Sequence, residues 1–463
     1  MHKQSKYNYI IPQDERFVYF NGISTRSFSM SAEEHEKLKP LFSDPISFEI
    51  NYPSIFKKFT EWGFFVKEDI DEVDILRYRH KMAVIDSRDY HLVISPTLEC
   101  NFSCWYCYQE HPKGYMNEDT KKKVMAHIKY MIEKKHITRL DLGWFGGEPL
   151  LYFDEVVYPI SSYAKSLCQK HDIPYRANAT TNGSKIDLAM IEKMKEIDLT
   201  SFQITIDGDP KRHNLIRNEK GKPSFDIIMN NICNLCEKIK NIHINLRLNY
   251  DDETLKSKEL EKVFESIPKK YRKLISPNFQ RVWQTFTQQN NEDKVSENLR
   301  RLHLSDHCKS LGYVTGSLTN TFFIGTHYKC YADRSYYTKI NYDGKLYSCT
   351  ARDYTEDYEI GILLENGKIV YNVEKQIKKL ARATFENEMC LSCQYLPLCL
   401  GPCSQKIMET DRSQLAHICN LKLTEISPKT AILDYHNRKN EAIRMIAQAK
   451  KQTPKTTTKR KKK

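Results

Sequence analysis

The sequence predicts an α/β protein built around a partial (β/α)6 TIM-like barrel. Three observations predict it. Between residues 88 and 290, six strand-like stretches alternate with helical ones. Strands alternating with helices of this length imply a parallel sheet with right-handed crossovers. Chemically distinctive residues stand directly after the strands: Cys100, the pair Gly146 and Gly147, Asn182 and Asp207. In barrels, chemistry collects at these C-terminal strand ends. Finally, ten of the 14 cysteines fall in two tight groups, one after the first strand and one in the C-terminal third.

The elements follow in order. Residues 1–87 contain no cysteine and read as a winged-helix-like α+β module. "RFVYFNGIS" alternates like a strand, "SAEEHEKLKPLF" starts on a serine cap, and "PSIFKKFTEWGFFVKE" is a helix stopped by Gly63 before a short strand. The barrel, 88–290, has strands at "YHLVISP", "RLDLGWF", "YRANATTNG", "SFQITIDG", "IHINLRLNY" and "NFQRVWQTF". The helices between them include "NEDTKKKVMAHIKYMIEKK", "VVYPISSYAKSLCQKH", "DLAMIEKMKEI", "FDIIMNNICNLCEKI" and "SKELEKVFESI". Residues 291–430 are rich in cysteine and poor in long periodic stretches, as a metal-stapled domain would be. A last helix, "AILDYHNRKNEAIRMIAQAKK", and a basic tail complete residues 431–463.

The net charge is +13, of which the tail from Lys450 to Lys463 supplies +8. Such a like-charge run without apolar residues cannot bury a core and reads as a solvated tail. No run of 18 apolar residues spans a membrane and the N-terminus lacks a signal-peptide core, so the expected location is cytoplasmic. In that compartment grouped thiols are metal ligands or catalysts more often than disulfides.

In "LECNFSCWYCYQE", Cys100, Cys104 and Cys107 share one loop. Thiolates bind zinc, iron–sulfur clusters or soft metals. Structural zinc commonly takes two separated pairs and an ordinary cubane takes four cysteines. Three on a loop leave one iron free for a cofactor or substrate. This CxxxCxxC, with Tyr106 just before the last cysteine, resembles the radical S-adenosylmethionine (SAM) superfamily. The resemblance implies a [4Fe–4S] cluster on Cys100, Cys104 and Cys107 whose open iron chelates SAM. It also implies a 5′-deoxyadenosyl radical that abstracts hydrogen. The "GGEP" turn, Gly146, Gly147, Glu148 and Pro149, matches the segment that binds the SAM amino group. "TIDG", with Thr205 and Asp207, and Arg217 twelve residues after Thr205 resemble the set that holds its carboxylate and ribose. Tyr106 matches the adenine contact. The family usually has Ser where Thr205 stands.

The second group is Cys330, Cys349, Cys390, Cys393, Cys399, Cys403 and Cys419. It resembles the SPASM domain, which carries auxiliary Fe–S clusters. The resemblance implies two auxiliary [4Fe–4S] clusters, one on Cys390, Cys393, Cys399 and Cys419, the other on Cys330, Cys349 and Cys403. Cys308 is the candidate fourth ligand of the latter, with an open iron as the alternative. Cys233, Cys236 and Cys168 read as core residues inside helices.

SPASM enzymes of this superfamily mostly modify peptides. The expectation is therefore a maturase that installs a thioether or carbon–carbon crosslink in a ribosomally made precursor peptide. Its N-terminal module would bind the leader by strand addition, and a flavodoxin or ferredoxin would supply electrons. Epimerisation is the lesser outcome. Anaerobic sulfatase maturases place Asp directly after the cysteine matching Cys349; here Thr350 follows, with Asp353 nearby. The alternatives from other classes are a nucleic-acid-associated or an electron-transfer Fe–S protein without SAM chemistry. The GGEP turn and Arg217 argue against both, and neither a membrane nor nucleic acid is an expected partner.

Overall fold

The computed structural model describes residues 1–282, 291–315, 322, 325, 327–381, 385, 387–423 and 426–452. The basic tail after 452 and the end of the predicted strand "NFQRVWQTF" lie outside them.

The N-terminal module comprises β1 (His2–Gln4), β2 (Asn8–Gln13), β3 (Arg16–Asn21), β4 (Ser27–Ser31), α1 (Ala32–Ser43), α2 (Pro45–Asn51), α3 (Pro53–Glu61), β5 (Phe65–Lys67) and α4 (Glu72–Ile85). β2, β3 and β4 form an antiparallel sheet in that order, and β5 returns to pair with β1. Ser31 and Glu34 close a capping box that starts α1 directly after the edge strand β4. Phe42, Phe48, Phe56, Phe59, Phe64 and Phe65 fill the space between helices and sheet.

The barrel strands are β6 (Asp89–Ile94), β7 (Arg139–Trp144), β8 (Tyr175–Thr181), β9 (Leu199–Ile206), β10 (His243–Tyr250) and β11 (Ile275–Arg281). All neighbouring pairs are parallel. Between them run α5 (Glu118–Glu133), α6 (Tyr158–Lys170), α7 (Leu188–Glu196), α8 (Pro210–Ile216), α9 (Phe225–Lys238), α10 (Asp252–Lys256) and α11 (Glu259–Ser266). Asn117, Asp187, Asp209 and Asp251 cap the N-termini of α5, α7, α8 and α10. Period-2 alternation sets the two faces of the sheet. Tyr90, Leu92 and Ile94, or Ile244, Leu246 and Leu248, are buried under the helices. The residues between them face the lumen.

The C-terminal part adds α12 (Asn291–Ser310), β12 (Tyr337–Ile340), β13 (Lys345–Tyr347), β14 (Glu359–Leu363), β15 (Ile369–Tyr371), α13 (Val373–Ala381), α14 (Glu388–Ser392), α15 (Leu396–Cys399), α16 (Ser404–Glu409) and α17 (Pro428–Gln452). Two features depart from the sequence-based division at 290/291. α12 packs on the barrel: Leu304 and Cys308 belong to the barrel core, and Val314 N–H donates to Ile275 O at 3.3 Å. The barrel unit therefore runs past residue 310. The cysteine-rich part is also continuous with it, since β12 pairs parallel with β6 and carries β13, β14 and β15 antiparallel beyond it in one ten-stranded sheet. The N-terminal module docks on the far side, where Tyr9, Ile11 and Phe20 pack with Leu398, Ala431 and Ile432.

His127 on α5 staples the two halves. Its Nδ1–H donates to Gly367 O (2.6 Å), and its Nε2 accepts from Tyr90 Oη (2.5 Å). Gly367 turns the β14–β15 hairpin at φ +77°, and a Cβ there would lie 2.4 Å from the Ala126 carbonyl carbon. Burial lowers the His127 pKa to about 4, against the opposing pull of the Gly367 carbonyl. An unfolded histidine protonates near 6.5. Between these values the unfolded chain binds more protons, so His127 stabilises the fold fully above about pH 6.5 and progressively less as pH falls toward 4. His127→Gln is therefore expected to reduce the slope of unfolding free energy between about pH 6 and 5 by about 1.4 kcal/mol per pH unit. Anaerobic urea denaturation at several pH values measures this; an unchanged slope contradicts it.

Candidate active site at the open end of the barrel

The loop after β6 carries the first cysteine group. Thr97 fixes its start: its Oγ1 donates to Gly114 O (2.5 Å) and accepts from Glu99 N–H (2.9 Å). Cys100 Sγ accepts from Phe102 N–H at 3.4 Å, and Cys104 Sγ accepts from Arg217 Nη1 at 3.6 Å. Cys107 is exposed and lies 3.4 Å from His111 Nε2, while His111 Nδ1–H donates to Leu98 O (2.8 Å). Burial, then Glu148, push the Cys100 thiol up to about 12, and burial also raises Cys104. Burial opposes ionisation of Cys107 too, but His111 and the Gln109 amide outweigh it and hold this thiol below its ordinary value. The sequence reading missed His111, whose only signal is its position four residues after Cys107.

Gly146 and Gly147 follow β7 and press against this loop. A Cβ on Gly146 would sit 2.3 Å from Thr97 O; one on Gly147 would sit 2.2 Å from Glu99 O and 2.3 Å from Leu98 O. Only glycine permits this approach. Glu148 N–H donates to Glu99 O at 2.7 Å. The expectation that Glu148 binds a cofactor is corrected for its side chain. That carboxylate is fully buried and faces inward, accepting from Leu150 N–H (3.0 Å), Thr181 Oγ1 (2.7 Å) and Asn182 N–H (2.7 Å). It ties the end of β7 to the end of β8.

Tyr106, Asp207 and Arg217, picked from separate motifs, meet in one buried knot. Tyr106 Oη donates to Asp207 Oδ2 and accepts from Arg217 Nη1 (2.9 Å) and from Asn249 Nδ2 (3.0 Å). Burial raises the Asp207 carboxyl and Arg217 pulls it back down; Arg217 itself is held firmly charged by Tyr106, Cys104 and Asp207 against its own desolvation. Among the described residues, Asp207 Oδ1 and Arg217 Nε are buried without a hydrogen-bond partner, an arrangement native interiors rarely leave unanswered. Thr205 lines the cavity beside the knot. Asn249 and Arg247 on β10 were not singled out from the sequence; their signal was the polar phase of the β10 alternation.

The donors fit the group that the sequence implies. Three thiols on one loop, a glycine cradle of close backbone, and orphaned acidic and guanidinium atoms suit an iron–sulfur cluster and a zwitterionic amino-acid cofactor. Among the described residues no three His, Cys, Asp or Glu side chains converge around a point as they would for a single metal ion. Cys100, Cys104 and Cys107 would hold an iron–sulfur cluster without such convergence on one ion.

The remaining cysteines separate into two neighbourhoods. After burial, which pushes it up to about 12, the Cys390 thiol feels Cys399, Cys393 and Cys419. Cys330, likewise pushed by burial to about 12, feels Cys403 and Cys349 after Asp333. Cys308 joins neither. It is fully buried in the barrel core and raised chiefly by burial, then by Glu261. The candidate fourth ligand therefore sits with α12 in the barrel core, and Cys330, Cys349 and Cys403 are not among the groups that act on its thiol. Cys233, Cys236 and Cys168 also pack with the barrel core.

One cavity of about 550 Å³ joins these regions. Cys107, Thr205 and Arg217 line one side; Tyr331, Thr350 and Ala351, beside Cys330 and Cys349, line the other. Tyr108 Oη donates to Thr350 O (2.8 Å), and Tyr331 Oη lies 2.7 Å from Thr350 Oγ1. Asp353 is occupied elsewhere, accepting from Glu110 N–H (3.2 Å) and Tyr354 N–H (2.9 Å). Deeper in the lumen, His91 Nε2 lies 3.5 Å from Asp141 Oδ2 across the β6–β7 pair.

Comparison with known proteins agrees with this geometry. Residues 94–260 match the radical SAM superfamily. An uncharacterized protein of Methanocaldococcus jannaschii is 32% identical over 134 residues, covering 29% of this chain and 44% of that one. A GTP 3′,8-cyclase of Haemophilus influenzae is 31% identical over 149 residues, covering 31% and 40%. The chain thus spans less than half the length of these curated relatives. Among solved structures, native anSMEcpe with bound AdoMet and Cp18Cys peptide shares the fold, with a TM-score of 0.55, 18% identity and coverage of 77% of this chain and 99% of that one. Among the described residues no helix is long and apolar enough to cross a membrane. The cysteine loop and the glycine cradle both lie inside the stretch, residues 94–260, that is similar to the radical SAM superfamily.

Proposed function

We propose that this chain is a radical SAM peptide maturase that installs a thioether or carbon–carbon crosslink in a ribosomally made precursor peptide. The observation that carries the reading is the single cavity running from Cys107 and Arg217 to the residues around Cys330 and Cys349. A substrate held there lies between the first cysteine group and the second. A fold shared with a protein whose structure holds AdoMet and a peptide supports it.

Cys100, Cys104 and Cys107 would hold the first cluster, with Gly146, Gly147, Thr205, Arg217 and the Tyr106–Asp207–Asn249 knot around the cofactor. When bound, cluster and SAM supply one-electron cleavage of the sulfonium and hydrogen abstraction from the substrate. The protein's own share is placement. Arg217 brings positive charge beside Cys104, and His111 favours the Cys107 thiolate. Cys390, Cys393, Cys399 and Cys419 would hold one auxiliary cluster; Cys330, Cys349 and Cys403 would hold the other, with its fourth position open. Bound there, auxiliary clusters would supply an acceptor for the electron left on a crosslinked product, and an external flavodoxin or ferredoxin would supply electrons to the first cluster. Thr350 offers no carboxylate where sulfatase maturases place their base, so the peptide-crosslinking reading is preferred to a sulfatase-type one.

The N-terminal module suits a leader peptide. Among the described residues β4 is an edge strand hydrogen-bonded to β3 alone. The bond from Asn21 N–H to Arg26 O sets the ladder so that Ser29 N–H points away from β3. An extended peptide could add there.

Cys104→Ala is expected to abolish SAM cleavage under dithionite and to remove one cluster of three by iron analysis; undiminished 5′-deoxyadenosine formation refutes the assignment. Ser29→Pro deletes the outward donor of β4 while sparing its bonds to β3, as edge strands tolerate. It is expected to weaken binding of the precursor peptide by about tenfold or more with little change in melting. Unaltered affinity counts against leader binding at this edge.

A further inference from the structure

Arg247 is a lumen cation outside the residues assigned to the cofactor, joined to them through Asn249. It projects from the middle of β10 into the cavity between the cofactor knot and the Thr350 wall. Its Nε–H donates to Asn249 Oδ1 at 2.9 Å, and among the described residues its two terminal amino groups make no hydrogen bond. Two other guanidinium groups line the same cavity, and each has an acidic neighbour. Arg217 has Asp207, and Arg281 has Asp252 at 2.6 Å. Among the described residues no carboxylate stands within ion-pair distance of Arg247. The one cavity-lining acid, Asp141, is already engaged by Arg139 at 3.3 Å and by His91.

A desolvated cation without a counterion is costly, and proteins pair or hydrogen-bond such groups. The cost here is visible, since burial pulls the Arg247 pKa down. The ionisable groups that act on it most are the Tyr108 and Tyr106 phenols, ahead of Arg217 and Asp207. Tyr108 belongs to the Thr350 wall through its hydrogen bond to Thr350 O. Arg247 thus leans to the substrate side of the cavity, while Arg217, 3.6 Å from Cys104 Sγ, stands on the cofactor side.

We infer that Arg247 is a substrate-specificity residue that receives a carboxylate of the bound peptide, from an Asp or Glu side chain or from a free C-terminus beside the residue attacked. A planar guanidinium with two free amino groups matches a carboxylate in a bidentate pair. The inference rests on the peptide-maturase reading and names the class of peptide that fits.

The test uses anaerobically reconstituted full-length protein with SAM, and three probes at millimolar concentration: acetyl-Gly-Asp-Gly-amide, acetyl-Gly-Asn-Gly-amide and acetyl-Gly-Gly-Gly with a free C-terminus. Saturation-transfer NMR ranks their binding. One or both carboxylate probes are expected to bind about tenfold or more tightly than the Asn probe, and whichever does identifies the source. Arg247→Gln is expected to erase this preference, and Arg247→Lys to retain part of it. Equal binding of the Asp and Asn probes, or a preference that survives in Arg247→Gln, overturns the inference. So does loss of the SAM-induced change in the cluster spectrum of Arg247→Gln, which would assign the residue to the cofactor. If the unmutated protein fails to cleave SAM, the maturase reading fails, while the carboxylate preference is still read directly from the probes.

Discussion

The seating of Gly147 on the carbonyls of Leu98 and Glu99 is the contact on which the site depends. A Cβ would stand 2.2 Å from Glu99 O, so the end of β7 reaches the cysteine loop only as bare backbone. That approach lets Glu148 N–H bond Glu99 O. The Glu148 carboxylate then carries the constraint onward to Thr181 and Asn182 at the end of β8. Burial raises the pKa of this carboxyl, and the donors from Asn182, Thr181 and Leu150 oppose the shift. Three such donors make a buried carboxylate tolerable. Three successive strand ends are thereby locked together, and the thiols are held by the sheet itself.

The same sheet explains why there is a cavity at all. Closed barrels fill their interior with layers of branched apolar side chains. Here the inward phase is polar: His91, Asp141, Asn178, Gln203, Arg247 and Asn249 all line the lumen. These groups do not pack into a dry core, and the six parallel strands do not close. β6 finds its second neighbour in β12 of the cysteine-rich part, which covers an edge otherwise left with unpaired backbone groups. Because the side-chain period is two, a one-residue slip of any strand would turn its polar residues into the helix-facing core. The outward Tyr90, Leu92 and Ile94 series therefore fixes where His91 points.

This alternation made the barrel legible in the sequence. The strand stretches from "YHLVISP" to "IHINLRLNY" correspond to β6 through β10, and Asp and Asn caps mark helix starts. Tyr106, Asp207 and Arg217 were picked from separate motifs, and the fold brings them to one knot. What stayed hidden depends on tertiary context. Cys308, the candidate fourth ligand beside Cys330, Cys349 and Cys403, lies on α12, which packs on the barrel and buries the thiol among core residues. Glu148 belongs to the turn expected to bind the cofactor, yet its side chain turns inward, where backbone and hydroxyl donors meet it. His111 and Arg247 belong to no repeated pattern; only the loop's return past Leu98 and the inward phase of β10 reveal what they face.

The join between the halves is itself a polar device. Lys339 on β12 is fully buried. Its Nζ donates to Ser95 Oγ at 2.6 Å and to Ile340 O at 3.2 Å, and it stands 4.7 Å over the Tyr354 ring. Burial brings its pKa down to about 7, with Asp343 pulling weakly the other way. The seam therefore carries less positive charge near neutral pH than an exposed lysine would bring. Ser95 also flanks Gly146, whose Cβ would lie 3.1 Å from its Oγ. One hydroxyl thus touches both the glycine cradle and the seam. Opening the seam would break the β6–β12 ladder and expose Lys339 and its partners together. The two cysteine regions are accordingly fixed to one sheet, with the cavity between them.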